Sequence, residues 1–110
     1  MEKMSARMEQ LRLRDLLLLE QIEAHGTLRK VAEVMHVTQP AITQALQGLE
    51  RAFGVALVER ASRGVRLTEA GRAAVLHVQA ASSELRAARD AALSPQAPLL
   101  RLGTSPLASL

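Results

Sequence analysis

Residues that cap or end helices divide residues 11–54 into separate helical segments. Their positions restrict the fold more than any other feature of the sequence. Leu11–His25 is rich in leucine and free of helix breakers, and Gly26 follows it where a helix C-terminus is expected. Thr27 then occupies an N-cap position, and Leu28–Met35 carries apolar residues on one helical face. A first helix and a short second helix, joined by a tight connection, are therefore predicted.

A third helix is predicted after a turn at His36-Val37. Thr38-Gln39-Pro40 combines a capping side chain with a proline in the first helical turn, and the segment runs to about Phe53 before Gly54. Ala32 is small where the second and third helices must approach closely. Two helices joined by such a turn form the helix-turn-helix pattern.

The segment after the third helix predicts a small β-hairpin. Val55–Arg60 and Val65–Leu67 contain β-branched residues, and residues 61–64 separate them. Val65 and Leu67 alternate with Arg66, as in a half-exposed strand. Three helices followed by a hairpin give a mainly α, winged helix-turn-helix fold in which the hairpin is the wing.

A long helix is predicted from Glu69 to about Leu93, between Thr68 and the helix breaker Pro95. At ~1.5 Å per residue it is roughly 37 Å long. Small and apolar residues recur along it at heptad spacing, which predicts a seam that pairs with a second copy of the chain. The seam consists of Ala74, Val78, Ala81, Leu85, Ala88 and Ala92. The alternative is a helix that docks on its own domain.

Composition excludes several kinds of site. The chain has one Phe and no Tyr, Trp or Cys, so an aliphatic core is expected, without base stacking on aromatic rings, disulfides or thiolate metal sites. His25, His36 and His77 lie far apart, so no metal site is expected. No catalytic motif is present, and we expect neither an enzyme nor a cofactor. The longest apolar run, Leu16–Leu19, is far shorter than the ~18–20 residues that span a bilayer, so no membrane association is expected.

The exposed face of the third helix carries side chains that suit base edges in DNA. Amide and hydroxyl groups both donate and accept hydrogen bonds, and no carboxylate precedes Glu50 on this face. The predicted DNA-contacting residues of this helix are Thr38, Gln39, Pro40, Ala41, Thr43, Gln44 and Gln47. The alternative is a solvated polar face.

Other residues near this helix are predicted to contact the phosphate backbone. They are Thr27, Arg29 and Lys30 at the start of the second helix, with Arg60, Arg63 and Arg66 in the wing. For the wing arginines, the minor groove is an alternative to phosphate as the DNA contact. The alternative to any DNA contact is solvent exposure for Arg29 and Lys30, and solvent exposure or an ion pair with Glu59 for the wing arginines.

Several motifs occur in order along residues 11–93. They are Gly26-Thr27-Leu28, Val31-Ala32, His36-Val37-Thr38-Gln39-Pro40-Ala41-Ile42-Thr43, Leu49-Glu50, Phe53-Gly54, Leu57-Val58-Glu59-Arg60 and Gly64-Val65-Arg66-Leu67-Thr68-Glu69-Ala70-Gly71. Together they resemble the N-terminal region of LysR-type transcriptional regulators. The resemblance implies that the third helix reads DNA, that the hairpin is a wing and that the long helix pairs two subunits.

The same resemblance implies a larger ligand-sensing domain after the linker. Leu99–Leu110 resembles the first strand and following loop of that domain, so the chain is expected to be a DNA-binding fragment. Thr104 and Ser105 would contribute to an effector site only in the full-length protein, and a small-molecule effector is expected only through that domain.

Some positions depart from the family pattern. Thr43 stands where Ser is usual and keeps the hydroxyl group, whereas Leu28 and Val58 replace aromatic residues and imply repacking. Gln44 stands where Arg is common, which weakens the expectation of direct guanine reading there.

These observations predict a domain organisation and a function. Residues 1–10 are expected to be a flexible N-terminus, 11–67 the winged domain, 68–94 the linker dimerisation helix, and 95–110 a hinge and first strand of the effector-binding domain. We expect a sequence-specific regulator of transcription that binds double-stranded DNA as a cytoplasmic, nucleoid-associated homodimer, with a tetramer as an alternative for the full-length protein. The competing hypotheses are a helical protein-interaction module without DNA binding, and the regulatory domain of an enzyme.

Overall fold

The structure, a computed structural model, describes residues 11–95. Its elements in chain order are α1 (Leu13–His25), α2 (Leu28–Met35), α3 (Gln39–Phe53), β1 (Val58–Ala61), β2 (Gly64–Leu67) and α4 (Glu69–Leu93). The strands β1 and β2 form an antiparallel hairpin. This arrangement confirms the mainly α, winged helix-turn-helix fold. The predictions for residues 1–10 and for the segment after Pro95, including Thr104 and Ser105, lie outside the described residues.

Capping residues that are recognisable in the sequence set the ends of the first three helices. Gly26 ends α1 with φ +78°, in the left-handed region that glycine adopts without steric cost. Thr27 caps α2, since its Oγ1 accepts the Lys30 N–H at 3.1 Å. Thr38 caps α3 in the same way, through the Ala41 N–H at 3.3 Å. The predicted caps are therefore confirmed.

The first helix begins later than predicted, at Leu13 rather than Leu11. Arg12 has an extended backbone, with φ −96° and ψ 150°, and its N–H donates to Asp15 Oδ2 at 3.4 Å. This geometry is that of an N-cap residue, so the helix cannot include the residues before it. Leu11 still packs against the core from outside the helix.

The first strand of the hairpin also begins later than predicted, at Val58 rather than Val55. The Leu57 N–H donates to the Glu50 carboxylate at 2.8 Å instead of to a neighbouring strand. Strand pairing continues to the last residue of β1, which leaves residues 62–63 as the turn. The turn is therefore shorter than the sequence suggested.

One aliphatic core joins the helices to the hairpin, as the composition predicted. Phe53, the single aromatic residue, is partly buried against this core. The buried core residues are Leu18, Leu19, Ile22, Val31, Ala32, Ile42, Leu46, Leu49, Leu57, Leu67, Val75 and Val78. Because the four helices, β2 and the residue before β1 all contribute to this cluster, its burial fixes the hairpin to the helices.

The first half of α4 belongs to this core, which corrects part of the predicted seam. Val75 and Val78 are 1% and 8% exposed, and Ala74 packs against the same cluster. Val78 therefore does not lie on a seam that is free for a second copy, because the domain itself covers it, whereas Ala74 is only partly covered. The remaining seam residues are exposed: Ala81, Leu85, Ala88 and Ala92. The chain divides into two compact units between Gln79 and Ala80.

Candidate nucleic-acid interface

The helix α3 separates a buried side from an exposed side. Ile42, Leu46 and Leu49 are buried in the core. The exposed side of its N-terminal half, called the reading face below, consists of Gln39, Pro40, Ala41, Thr43, Gln44 and Gln47. Thr38 is also exposed, but its hydroxyl oxygen already accepts the Ala41 N–H as a helix cap. The structure therefore brings the side chains of the predicted base contacts onto one continuous surface.

A groove between α3 and the hairpin, called the wing groove below, borders one side of the reading face. Thr27 and Arg29 line it from the start of α2, Gln39 from α3, and Arg60 and Val65 from the hairpin. These residues come from three separate elements, and the sequence analysis had predicted four of them as DNA contacts. The fold thus assembles the start of α2, the start of α3 and the wing around one groove.

The N-termini of α2 and α3 differ electrostatically from those of the other helices. The first turns of α1 and α4 contain Asp15 and Glu69, which favour the positive end of a helix dipole, whereas the first turns of α2 and α3 contain no acidic residue. In α2 the first turn carries Arg29 and Lys30 instead, which the dipole disfavours. An external anion at these two helix ends would relieve the unfavourable charge.

Intramolecular ion pairs do little to neutralise the cations at the start of α2. Arg29 and Lys30 both reach Glu33, at 3.9 and 3.8 Å, and all three side chains are more than half exposed. Exposed pairs of this kind contribute ~0–1 kcal/mol. The two cations therefore remain available to an external anion.

The three wing arginines occupy different environments. Arg66 Nε lies 2.9 Å from Glu59 Oε2, its direct cross-strand neighbour, as the alternative reading of the sequence allowed. Arg60 lies on the hairpin face opposite this pair and lines the wing groove. Arg63, in the turn, is exposed and forms no ion pair within residues 11–95. The wing therefore presents Arg60 and Arg63 as available cations and Arg66 as a paired one.

Sequence reasoning missed two arginines at the start of α1. Arg12 and Arg14 line a second groove together with Asp15, Ala41 and Gln44. By helical periodicity, this groove lies on the side of the reading face opposite the wing groove. The contact between α1 and α3 is tertiary, so no local motif could have revealed it.

Glu50 is a third residue whose contacts the sequence alone did not reveal. In the sequence Glu50 is simply the first carboxylate of α3, whereas in the structure its Oε2 accepts the N–H groups of Leu57 and Val58, at 2.8 and 3.2 Å. This contact links α3 directly to the beginning of the wing. The signal in the sequence was an acidic residue near the C-terminus of a helix, where the dipole disfavours it.

Two kinds of feature are absent from residues 11–95, the segment that the structure describes. No three His, Asp or Glu side chains of this segment are grouped closely enough to hold a metal ion. No helix within it combines the length and the apolar character that crossing a bilayer requires.

Comparison with known proteins decides the family. Residues 13–72, more than half of the chain, match the family described as bacterial regulatory helix-turn-helix protein, lysR family. The chain belongs to the lysR family. This is a family of transcriptional regulators rather than a class of enzymes.

Curated relatives extend the likeness along most of the chain. The HTH-type transcriptional regulator PcaQ of Agrobacterium fabrum is 31% identical over 105 residues, which cover 93% of this chain and 34% of PcaQ. The RuBisCO operon transcriptional regulator of Allochromatium vinosum is 36% identical over 74 residues, covering 67% of this chain and 24% of that protein. The chain thus spans about a third or less of the length of these lysR-family relatives.

Solved structures of lysR-family proteins share the fold. Full-length CbnR complexed with its target DNA superposes with a TM-score of 0.69 at 31% identity, covering 76% of this chain and 29% of CbnR. The CbnR DBD–DNA complex superposes with a TM-score of 0.59 at 35% identity, covering 74% of this chain and 98% of that chain. The likeness therefore encompasses nearly the whole of a chain that was solved bound to DNA.

Proposed function

We propose that this lysR-family chain binds double-stranded DNA with the reading face in the major groove and the wing on the adjacent backbone. The observation that carries the proposal is the position of the reading face beside two helix N-termini without acidic residues and beside the exposed wing cations. The relatives solved with DNA support it. Regulation of transcription is the function that we propose for the whole protein.

The proposed base contacts are the amide and hydroxyl side chains of the reading face. Gln39 and Gln44 can pair with adenine in a bidentate manner, Thr43 can donate to or accept from either kind of base pair, and Ala41 can pack against a thymine methyl group. Thr38, Pro40 and Gln47 flank these contacts on the same surface. No guanine-reading arginine lies on the reading face.

Alanine at Gln39 or Gln44 should lower affinity for the specific site by about 1–3 kcal/mol and change affinity for random DNA little, because amide groups recognise base edges rather than phosphate. Thr43→Val, which keeps the side-chain shape, tests the hydroxyl in the same way. Fluorescence anisotropy with specific and random duplexes measures both affinities. The control is Gln79→Ala, an exposed amide on α4. Equal losses on both duplexes would show that these side chains do not read bases.

The proposed phosphate contacts lie on both sides of the reading face. These residues either carry a positive charge or lie at a helix N-terminus, and both features favour an anion over a base edge. On the wing side they are Thr27, Arg29, Lys30, Arg60, Arg63 and, after release from Glu59, Arg66. We add Arg12 and Arg14 on the opposite side, where they border the second groove.

Arg63→Ala should weaken binding to all duplexes alike and reduce the slope of log affinity against log salt by about one unit, because one phosphate contact is lost. Arg66→Ala should have a smaller effect, since Arg66 must first leave Glu59. Titrations at several salt concentrations measure the slopes. Arg89→Ala is the matched control, since this arginine lies on α4 beside Asp90. An unchanged slope for Arg63→Ala would identify Arg63 as a solvated surface residue.

One experiment separates DNA binding from the competing hypothesis of a protein-interaction module. Counterion release makes the affinity of a DNA-binding protein fall steeply with salt, whereas a module that does not bind DNA shows no retention at any salt concentration. Selection of bound fragments from genomic DNA then identifies the preferred site. Absence of salt-dependent retention would refute the proposed function.

We also propose that the chain forms a homodimer through the second half of α4. The support is a heptad-spaced row of small and apolar residues that stays exposed, with Leu85 48% exposed at its centre. Ala81, Ala88 and Ala92 complete this row, called the α4 seam below. Small side chains allow two helices to approach closely. The winged domain at residues 11–67 and the linker helix at 68–94 remain the domain organisation that we propose.

The remaining proposals concern the whole protein, of which this chain spans a part. Its relatives are about three times as long, which leaves room for an effector-binding domain that binds a small molecule and contributes to a tetramer. Thr104 and Ser105 would belong to that domain. Because the proposed partner is chromosomal DNA, we place the protein in the cytoplasm, at the nucleoid.

A further inference from the structure

Glu50 is an acidic residue at a position where two features disfavour one. It lies in the last turn of α3, where the negative end of the helix dipole repels a carboxylate. It also lines the wing groove, into which the proposed function brings phosphate. A residue that breaks local rules in this way is expected to have a compensating contact.

The compensating contact is with the main chain at the entry to the hairpin. Glu50 Oε2 accepts the N–H of Leu57 at 2.8 Å and the N–H of Val58 at 3.2 Å, and both hydrogen bonds are partly buried. A charged acceptor strengthens such bonds relative to a neutral one. Leu57 is itself fully buried, and its carbonyl oxygen accepts the Thr68 N–H at 2.9 Å. The first residues of the hairpin are therefore held from both sides.

The other strand of the hairpin has an anchor of a different kind. The Val65 N–H donates to the Gly26 carbonyl oxygen at 2.9 Å, so β2 is tied to the junction of α1 and α2 by main-chain atoms alone. Gly64 permits this approach, because a Cβ atom there would collide with the same carbonyl group. Among these contacts, the Glu50 side chain is the one that ties the wing to α3.

We propose that Glu50 is the positioning residue that holds Arg60 and Arg63 at a fixed offset from the reading face. Its Cα lies on α3 itself, about 16 Å along the helix from Gln39 at ~1.5 Å per residue. Its carboxylate binds the main chain just before Arg60. The recognition helix and the wing therefore engage DNA as one rigid unit. The inference rests on the proposed DNA-binding function, and Glu50 acts through the wing rather than by touching DNA.

The sign of the change in DNA affinity distinguishes a positioning role of Glu50 from a simple effect of its negative charge. Removal of a carboxylate near DNA should by itself strengthen binding, because its repulsion of phosphate is lost. Glu50→Ala removes both the charge and the acceptor, and we expect weaker binding with a salt slope lower by about one to two units, because the contacts of Arg60 and Arg63 are lost. Glu50→Gln removes the charge but keeps an acceptor oxygen, and we expect affinity equal to or above that of the original chain. Glu84→Ala, which removes an exposed carboxylate from α4, is the control for net charge.

A double-mutant cycle with Arg63 then tests the mechanism. Arg63→Ala should lower the salt slope by about one unit in the original chain and change it little in Glu50→Ala, because a misplaced wing has already lost that contact. A purely structural role would lower thermal stability but leave the two effects additive. Circular dichroism identifies the temperature range in which each variant is folded.

A shorter acidic side chain keeps the test decisive if Glu50→Ala does not fold. Glu50→Asp retains the charge but is one methylene shorter, so it cannot reach both N–H groups unless β1 moves, and it should show the same non-additivity with Arg63→Ala. Additive effects, or stronger binding by Glu50→Ala, would overturn the inference while leaving DNA binding intact. An original chain without salt-dependent DNA binding would overturn the proposed function and this inference together.

Discussion

Leu85→Asp is expected to leave the winged domain folded, to convert a dimer into a monomer and to lower affinity for a two-half-site operator by about 10²–10⁴-fold. The factor is the effective concentration that one bound domain provides for the second half-site. Leu85 is 48% exposed in the single chain, so an aspartate there meets solvent unless a second copy covers it. In a paired seam, the same change brings two like charges together in an apolar contact. Light scattering gives the oligomeric state, and anisotropy with one and two half-sites gives the affinities.

The control for this prediction is Leu76→Asp. Leu76 is 66% exposed and lies on a different face of α4 from the α4 seam, so the same charge should leave both dimerisation and operator affinity unchanged. A dimer that survives Leu85→Asp, or one that is lost in Leu76→Asp, would show that the α4 seam is misplaced.

Local chemistry explains why most of the fold could be predicted from the sequence. Gly26, Thr27 and Thr38 act within one helical turn of their own position. These residues therefore indicate helix ends independently of the rest of the molecule. The alternation of Val65, Arg66 and Leu67 likewise depends only on the geometry of a strand. Elements set by such signals appear where they were expected, within two or three residues.

Contacts between elements were not predictable in this way. The sequence suggested Glu59 as a partner for the wing arginines, but which arginine pairs with it depends on the hairpin register, which the two-residue turn sets. The Glu50 contact with Leu57 requires the chain to fold back against the end of α3. Arg12 approaches the reading face only because α1 packs against α3. The predicted site therefore lacked the residues that border the second groove and the contact between α3 and the hairpin.

The seam along α4 shows the ambiguity of an apolar stripe most directly. A heptad pattern predicts that one face of a helix is buried. It does not indicate whether that face is buried by residues of the same chain or of a second chain. The structure divides the stripe, because Val78 is covered by its own domain and Leu85 is not. An aspartate should therefore lower the stability of the domain at position 78 and dissociate the dimer at position 85.

Val78→Asp is expected to destabilise the winged domain rather than to dissociate a dimer. Val78 is 8% exposed within the aliphatic core, and an unpaired carboxylate in such surroundings costs about 3–5 kcal/mol. For a domain of this size, such a loss lowers Tm by roughly 12 °C or more, at about 4–8 °C per kcal/mol. Thermal unfolding by circular dichroism, at equal concentrations of Val78→Asp, Leu85→Asp and Leu76→Asp, measures the difference. The three variants introduce the same aspartate into the same helix, so their net charge is matched, and the helix propensity lost with each leucine differs from that lost with the valine by less than about 0.7 kcal/mol. If Val78→Asp melts at the same temperature as the other two variants, then Val78 does not belong to the core. The seam predicted from the sequence, which includes Ala74 and Val78, would then stand.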